Sequence, residues 1–425
     1  MMLRSNPTVP TPTAVPSGVG RALGLMLFTV FLDVLGLGLI VPVAPFYARE
    51  YGADAIQVGL LFTTFAALQF LTTPMLGALS DRFGRRPVLL LSLFGELLSY
   101  LIFGAAQSLG MLYLARVVQG ATAGNIGAAQ AYIADITPPT TRTRTFGLIG
   151  AACGVGFLFG PAFGGYLSTF SLRAPAFGAA LLVALNFVFA CRWLPESLPR
   201  ARRSTRPLGA QLNPLGVLGA LARRPPLRGP LLATGLLGFA FSAYQTNFVL
   251  YTADRFGWDA GAVSRIFVVL ALTNLFTQAV LMPPLSRSCS DATILVGGCA
   301  LYALGFLAIG FAPDGCVLGA ASVLVALGGS LWRTPLASLF TKLVGPGEQG
   351  MANGGSLAVA SLAAVIGPIC GGWVYEHVAP GAPYTLGAVV ILLAAAAILS
   401  GPPAGAPAPD AARPEPDEAL APAYP

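Results

Sequence analysis

The chain has 425 residues, of which 55% are hydrophobic and only 10% charged, and its mean hydropathy is +0.74. Soluble domains carry about 25% charged residues, so this composition excludes a soluble enzyme, a disordered protein and a nucleic-acid binder. The net charge of +7, from 24 Lys and Arg against 17 Asp and Glu, is informative only through where the charges fall.

A membrane-crossing helix needs about 20 mostly apolar residues. In chain order such runs are expected at 22–47, 56–79, 88–106, 110–134, 146–168 and 174–194, then at 230–252, 261–285, 292–312, 316–342, 352–376 and 383–400. These twelve spans must be helical, because barrel strands are short alternating segments. The expected fold is an all-α polytopic membrane protein with two six-helix bundles, at 22–194 and 230–400. Residues 1–21 form an N-terminal tail, and the first span is too long for a signal peptide, so it is retained. Residues 195–229 are a basic, proline-dotted linker expected to lie on lipid headgroups, where each Arg is worth about 1 kcal/mol. The Pro/Ala-rich acidic tail at 401–425 is expected to be disordered.

Span one carries Asp33, span three Glu96, span four Arg116 and span ten Arg333. Ionisable groups inside spans are costly and point to function. A carboxylate that meets Arg116 in one conformation and water in another would bind and release a proton, and Asp33 and Glu96 are the candidates. The plain alternative for each is a fixed ion pair that stabilises the bundle. Arg333, beside Trp332, either binds an anionic substrate or pairs with a carboxylate. Gln69, Gln119, Asn125, Tyr244, Asn247 and Gln278 join Trp332 and Arg333 as candidate lining of a substrate cavity, or serve as interhelical hydrogen bonds.

Between spans two and three the loop reads Gly77-Ala78-Leu79-Ser80-Asp81-Arg82-Phe83-Gly84-Arg85-Arg86-Pro87. Gly77, Asp81, Arg82, Gly84, Arg85 and Arg86 read as a latch: a carboxylate among guanidiniums at a glycine turn, able to hold a neighbouring helix and let it go. A topogenic basic loop needs only the arginines. In span five Gly156, Gly160 and Gly164 share one helix face, with Gly165 beside them, and Pro161 bends the span; these are expected to form a hinge or seal where two bundles meet.

Gly160-Pro161 and Gly164-Gly165 return as Gly367-Pro368 and Gly371-Gly372 in span eleven, and at the same spacing Gly147 falls on Gly354. Shifted by one, Leu79-Ser80 falls on Leu285-Ser286, but the loop there is degenerate, so the latch is expected to be asymmetric. Two tandem six-span copies suit halves that rock about a central cavity. Both copies lie in one chain, so a monomer suffices.

Arg and Lys concentrate on one side: Arg82, Arg85, Arg86, Arg142, Arg144, Arg192, Arg287, Lys342 and the linker arginines. By the positive-inside rule both termini are cytoplasmic, in a cell (inner) membrane. The six cysteines form no CxxC pair and His377 is the only histidine, so neither a metal nor another cofactor is expected. No GxxxxGK[ST] loop is present, which argues against ATP as the energy source.

The loop at 77–87 resembles the signature loop of the major facilitator superfamily, and Arg116-Val117-Val118-Gln119-Gly120 resembles its arginine motif. Gly156 to Gly165 looks like the motif of drug/proton antiporters. The stretches Leu32 to Pro42, Ala131 to Ile136 and Asp254 to Asp259 are most similar to the tetracycline efflux antiporters. The resemblance implies a proton-coupled exporter of a drug-like amphipathic compound, tetracycline among the candidates, with protons and a small molecule as its partners. It places an acidic residue at Ser99, one helix turn from Glu96, so either the carboxylate has moved by a turn or the coupling differs. A proton-linked transporter of a sugar-like metabolite and a non-transporting membrane sensor are the alternatives.

Overall fold

The computed structural model describes residues 17–138, 141–204, 219, 223–344 and 349–400. The expected N-terminal tail up to residue 16, most of the basic linker and the acidic tail after residue 400 lie outside the described residues. Among the described residues the regular structure is helical, with no strand. The chain is an all-α membrane protein. Ten of its helical segments are long and apolar enough to cross a bilayer.

The expected spans four and seven are not among those ten, for different reasons. Span four is broken into α5 (Leu109–Ala121) and α6 (Asn125–Ile136). The carbonyls freed at the break accept from threonines of α3 (Ala55–Phe83): Thr72 Oγ1 bonds Gly120 O at 2.8 Å and Thr73 Oγ1 bonds Ala123 O at 3.3 Å. Non-helical backbone at membrane depth is tolerated where protein satisfies it in this way. Span seven lies on α9 (Pro225–Phe256), which is long enough but carries the polar run Ser242, Tyr244, Gln245, Thr246 and Asn247.

Two more spans are irregular. Span one divides at Val41-Pro42-Val43 into α1 (Ser17–Ile40) and the short α2 (Ala44–Glu50). Span eight runs as α10 (Ala260–Phe276), a π-helical turn at Thr277–Leu281, and α11 (Met282–Ser288). The remaining helices are α4 (Arg85–Gly104), α7 (Arg142–Ser168), α8 (Ala174–Trp193), α12 (Asp291–Gly310), α13 (Gly315–Lys342), α14 (Gln349–His377) and α15 (Ala382–Leu399).

Local chemistry sets several ends. Asp54 and Gln57 form a reciprocal capping box at the start of α3: Gln57 N donates to Asp54 Oδ1 at 2.7 Å and Asp54 N to Gln57 Oε1 at 3.1 Å. Gly84, at φ +112°, makes the turn between α3 and α4 in a conformation that disfavours side chains.

The chain divides into two compact units, Met1–Tyr47 with Leu71–Leu212, and Ala48–Phe70 with Asn213–Pro425. The start of α3 therefore clusters with the second unit. Thr63 Oγ1 donates to Val365 O at 2.8 Å, Ala55 N donates to the Glu376 carboxylate at 2.8 Å, and a Cβ on Gly59 would meet Pro368 O at 2.4 Å.

Candidate functional site

In the first unit the break in span four positions a buried polar cluster. Asn125 is the first residue of α6, so its side chain leaves from a helix N-terminus, where backbone N–H groups favour negative charge. Its Nδ2 donates to Asp33 Oδ1 at 2.6 Å and to Glu96 Oε2 at 2.7 Å. One amide thus holds carboxyl groups from α1 and α4. Glu96 and Asn125 are buried. Gly36, one turn along α1 from Asp33, leaves room for the Tyr100 ring, whose hydroxyl would lie 3.1 Å from an added Cβ. Ser99, the position to which the resemblance assigns an acid, is buried on the same helix.

Arg116 lies nearby on α5 and is 3% exposed. Its Nη1 donates to Gln119 Oε1 at 2.6 Å, and its guanidinium sits 4.9 Å from the centroid of the Phe103 ring. Sequence alone offers cavity lining or interhelical hydrogen bonding for Asn125 and Gln119. In the structure one bridges the two carboxyl groups and the other holds the arginine.

At the loop between α3 and α4, Arg85 binds two carboxylates. Its Nη1 donates to Asp81 Oδ1 at 2.6 Å and to Ser80 Oγ at 3.2 Å, and its Nε donates to Asp135 Oδ2 at 3.1 Å. Arg86 Nη2 donates to Cys191 O, near the end of α8, at 2.7 Å. Arg82 is exposed, with its guanidinium 5.8 Å from the Phe83 ring, and Gly77 has open space around it. Glu196, which sequence reading left in the linker, caps α4: its carboxylate accepts from Arg85 N at 2.8 Å and from Arg86 N at 3.3 Å. An added Cβ on Gly84 would lie 2.3 Å from Glu196 Oε2, so the cap needs a glycine there. No motif marks Glu196 in the sequence; its only signal is an acid just beyond an apolar span.

The glycine face of α7 packs inside the first unit, against α1. Added Cβ atoms would fall 3.0 Å from Phe31 O at Gly156, 2.7 Å from Gly38 Cα at Gly160 and 2.5 Å from Leu39 O at Gly164. Gly165 is buried, its carbonyl accepting from Ser168 Oγ at 2.7 Å, and a Cβ on Gly38 would lie 3.1 Å from Pro161 Cδ. The face therefore sets the distance between α7 and the helix that carries Asp33. In the second unit Gly367 and Gly371 pack on α9 in the same manner, whereas Pro368 and Gly372 meet the start of α3.

The other expected cavity residues lie within the second unit. Asn247 is fully buried and donates to Ala243 O at 2.8 Å. Tyr244 is buried in an aromatic cluster with Phe248, Phe306 and Tyr384. Gln69 is half-buried on α3. Gln278, on the π-helical turn, donates to Ser330 O and Thr334 Oγ1, both at 3.2 Å. Trp332 is buried, and Arg333 sits 4.8 Å from the centroid of the Phe241 ring.

Two further charged groups were missed. Asp291 accepts from Lys342 Nζ at 2.5 Å and from Ser338 Oγ at 2.7 Å, so the degenerate second-half loop does keep an ion pair. Arg49, just after the first span, makes a two-pronged contact with Asp254, which Tyr375 joins through its hydroxyl at 2.5 Å. Half-burial pushes the Asp254 carboxyl up, but the hydrogen bonds from Arg49 and Tyr375 outweigh it and hold it below the usual range. Among the described residues no three His, Cys, Asp or Glu side chains converge as a metal site.

The Major Facilitator Superfamily family model matches residues 26–315 and 267–423. Tetracycline resistance protein, class C, of Escherichia coli is 34% identical over 393 residues, covering 90% of this chain and 97% of that protein. Multidrug resistance protein 2 of Bacillus subtilis is 28% identical, covering 83% of this chain and 88% of that one. Among solved structures, the human organic anion transporter MFSD10 superposes with a TM-score of 0.69 at 26% identity, covering 90% of this chain and all of that one.

Proposed function

The chain belongs to the Major Facilitator Superfamily of membrane transporters, and on that premise we propose that it is a proton-coupled antiporter. It exports a drug-like amphipathic compound, tetracycline among the candidates, by alternating access. The observation that carries this reading is the single amide of Asn125 shared by Asp33 and Glu96. Two carboxylates held by one donor repel each other, and one proton placed on the pair removes that repulsion. The donor side chain belongs to a half-helix whose N-terminus is free to favour the negative charge when the proton leaves. Arg116, on the preceding half-helix, is the cation that a shift of α5 against α4 would bring to bear.

The break at 122–124 gives the two half-helices of span four separate freedom, and the glycine face of α7 lets α1 move in close register with it. The exchange is energetically sufficient. One proton moving down about 100 mV releases roughly 2.3 kcal/mol, and a tenfold proton gradient adds about 1.4, together enough for a several-hundred-fold cargo gradient. The Arg85 loop faces the cytoplasm with both termini, as the excess of arginine on that side requires. One chain carries both halves, so a monomer is sufficient.

The test is substrate-induced proton movement in inverted membrane vesicles, with tetracycline as the first cargo of a drug panel. Drug addition should release protons, and an uncoupler should abolish uphill accumulation. Accumulation that survives the uncoupler would exclude proton coupling.

A further inference from the structure

Arg333 is an exposed intramembrane cation for which the proposed coupling has no use. It lies on α13, its guanidinium 4.8 Å from the centroid of the Phe241 ring and 5.6 Å from that of Trp332. Among the described residues no carboxylate lies within ion-pair distance of it. The polar side chains beside it along α13, Ser330 and Thr334, are bonded to other groups. Gln278 and Thr334 exchange hydrogen bonds at 3.2 and 3.3 Å, and Ser330 donates to Asn274. None of these groups carries charge. Arg333 is exposed on α13. A guanidinium turned to hydrocarbon is strongly disfavoured, so its exposed surface meets water or cargo.

A second, independent feature points to the same ligand. The indole Nε1 of Trp332 is buried and has no hydrogen-bond partner, leaving a donor beside the uncompensated cation. A guanidinium lying over aromatic rings uses its face and keeps its planar N–H fork for a two-oxygen acceptor.

We propose that Arg333, flanked by Phe241 and Trp332, docks an anionic oxygen group of the cargo, so that the exported class is amphipathic aromatic acids and enolates and not lipophilic cations. This rests on the export reading above and names its substrate class. Tetracycline, with its ionisable enol system, falls inside the class.

The experiment is binding to the purified full-length protein of two probes matched except in charge, dansylglycine and its methyl ester, read by dansyl fluorescence. The wild type should bind the acid at least tenfold more tightly than the ester. Arg333→Gln should remove that preference and leave ester binding unchanged, while Arg333→Lys should keep part of it. Equal binding of the two probes by the wild type, binding of neither, or an equal loss of both in Arg333→Gln overturns the proposal. The wild-type comparison decides the question even if Arg333→Gln fails to fold. Binding needs no proton gradient, so a failed uncoupler test in vesicles and a failed acid preference here are separate results.

Discussion

Asp291 on α12 and Lys342 on α13 form an ion pair at 2.5 Å whose polarity is the reverse of the Arg85–Asp135 pair in the first half. The spacing that puts Gly160 on Gly367 also puts Asp135 on Lys342, and the shifted spacing that puts Leu79-Ser80 on Leu285-Ser286 puts Arg85 on Asp291. Each half thus joins the start of its third span to the end of its fourth. The sign of the charge is exchanged and the contact is kept.

Exchanging the two residues tests whether the contact or the sign is what counts. Asp291→Lys and Lys342→Asp each bring like charges together and should lower export several-fold, whereas the double exchange should restore it. The side chain of Lys342 is 64% exposed, so the stability effect should stay below about 1 kcal/mol. Drug export by cells and thermal unfolding in detergent check the two parts. A double variant as poor as the singles would show that the sign matters.

Asn125 is the residue on which the two carboxyl groups depend. Asn125→Leu removes their common donor at nearly constant volume and should cut substrate-induced proton release at least tenfold. Asp33→Asn should abolish proton release while the protein still folds. Leaving buried acceptors without their donor costs about 1–3 kcal/mol, so Asn125→Leu should also lower the melting temperature. Proton release equal to wild type in both variants would remove the pair from the coupling step.

The spans, the repeat and the intramembrane charges were legible because hydropathy and ionisable residues are properties of single positions. Asp33, Glu96 and Arg116 stood out for that reason. The break in span four was not legible, because Thr122-Ala123-Gly124 is apolar enough to continue a span and its stability comes from Thr72 and Thr73, which lie far away in sequence. The role of Asn125 depends on that break, so its residue type alone allows either cavity lining or an interhelical hydrogen bond. Lys342 was counted only as a topogenic charge. The pairing of the α7 glycines with α1 was missed because periodicity tells which residues share a face but not which helix that face meets.

Glycines on one helix should divide into two classes. A Cβ at Gly160 would sit 2.7 Å from the backbone of Gly38, which cannot yield without moving α1, so Gly160→Ala should destabilise by about 1–3 kcal/mol. Gly154, on the same helix, has nothing within 4 Å, and Gly154→Ala should be neutral or stabilising by up to about 1 kcal/mol. Thermal unfolding of the two variants reads the contrast, and equal melting temperatures would contradict the packing of α7 on α1.

Glu196 closes the first turn of α4 from beyond the end of α8. Glu196→Ala leaves Arg85 N and Arg86 N without their acceptor and should cost about 0.5–1 kcal/mol, toward the low end for caps because the site is partly exposed. Glu196→Gln keeps an acceptor and should lose less. Hydrogen exchange at the start of α4 is the direct measurement, and faster exchange confined to that turn is the expected result.

The contact of Arg49 with Asp254 and Tyr375 lies within the second unit, where it ties the end of α2 to α9 and α14. Its response to pH follows from Asp254. Arg49 and Tyr375 hold that carboxyl below its ordinary value of 3.8 despite partial burial, and the contact with Asp254 raises Arg49 in turn. A depressed carboxylate contributes stability that is present in full above its ordinary value and is lost as the pH falls through the folded value. The melting temperature of wild type should therefore exceed that of Asp254→Asn by a constant margin, about 1–3 °C, from pH 5 to pH 8. The margin should close only below about pH 4. A margin that changes between pH 6 and pH 8 would assign the proton-sensitive step to this clasp in place of Asp33 and Glu96.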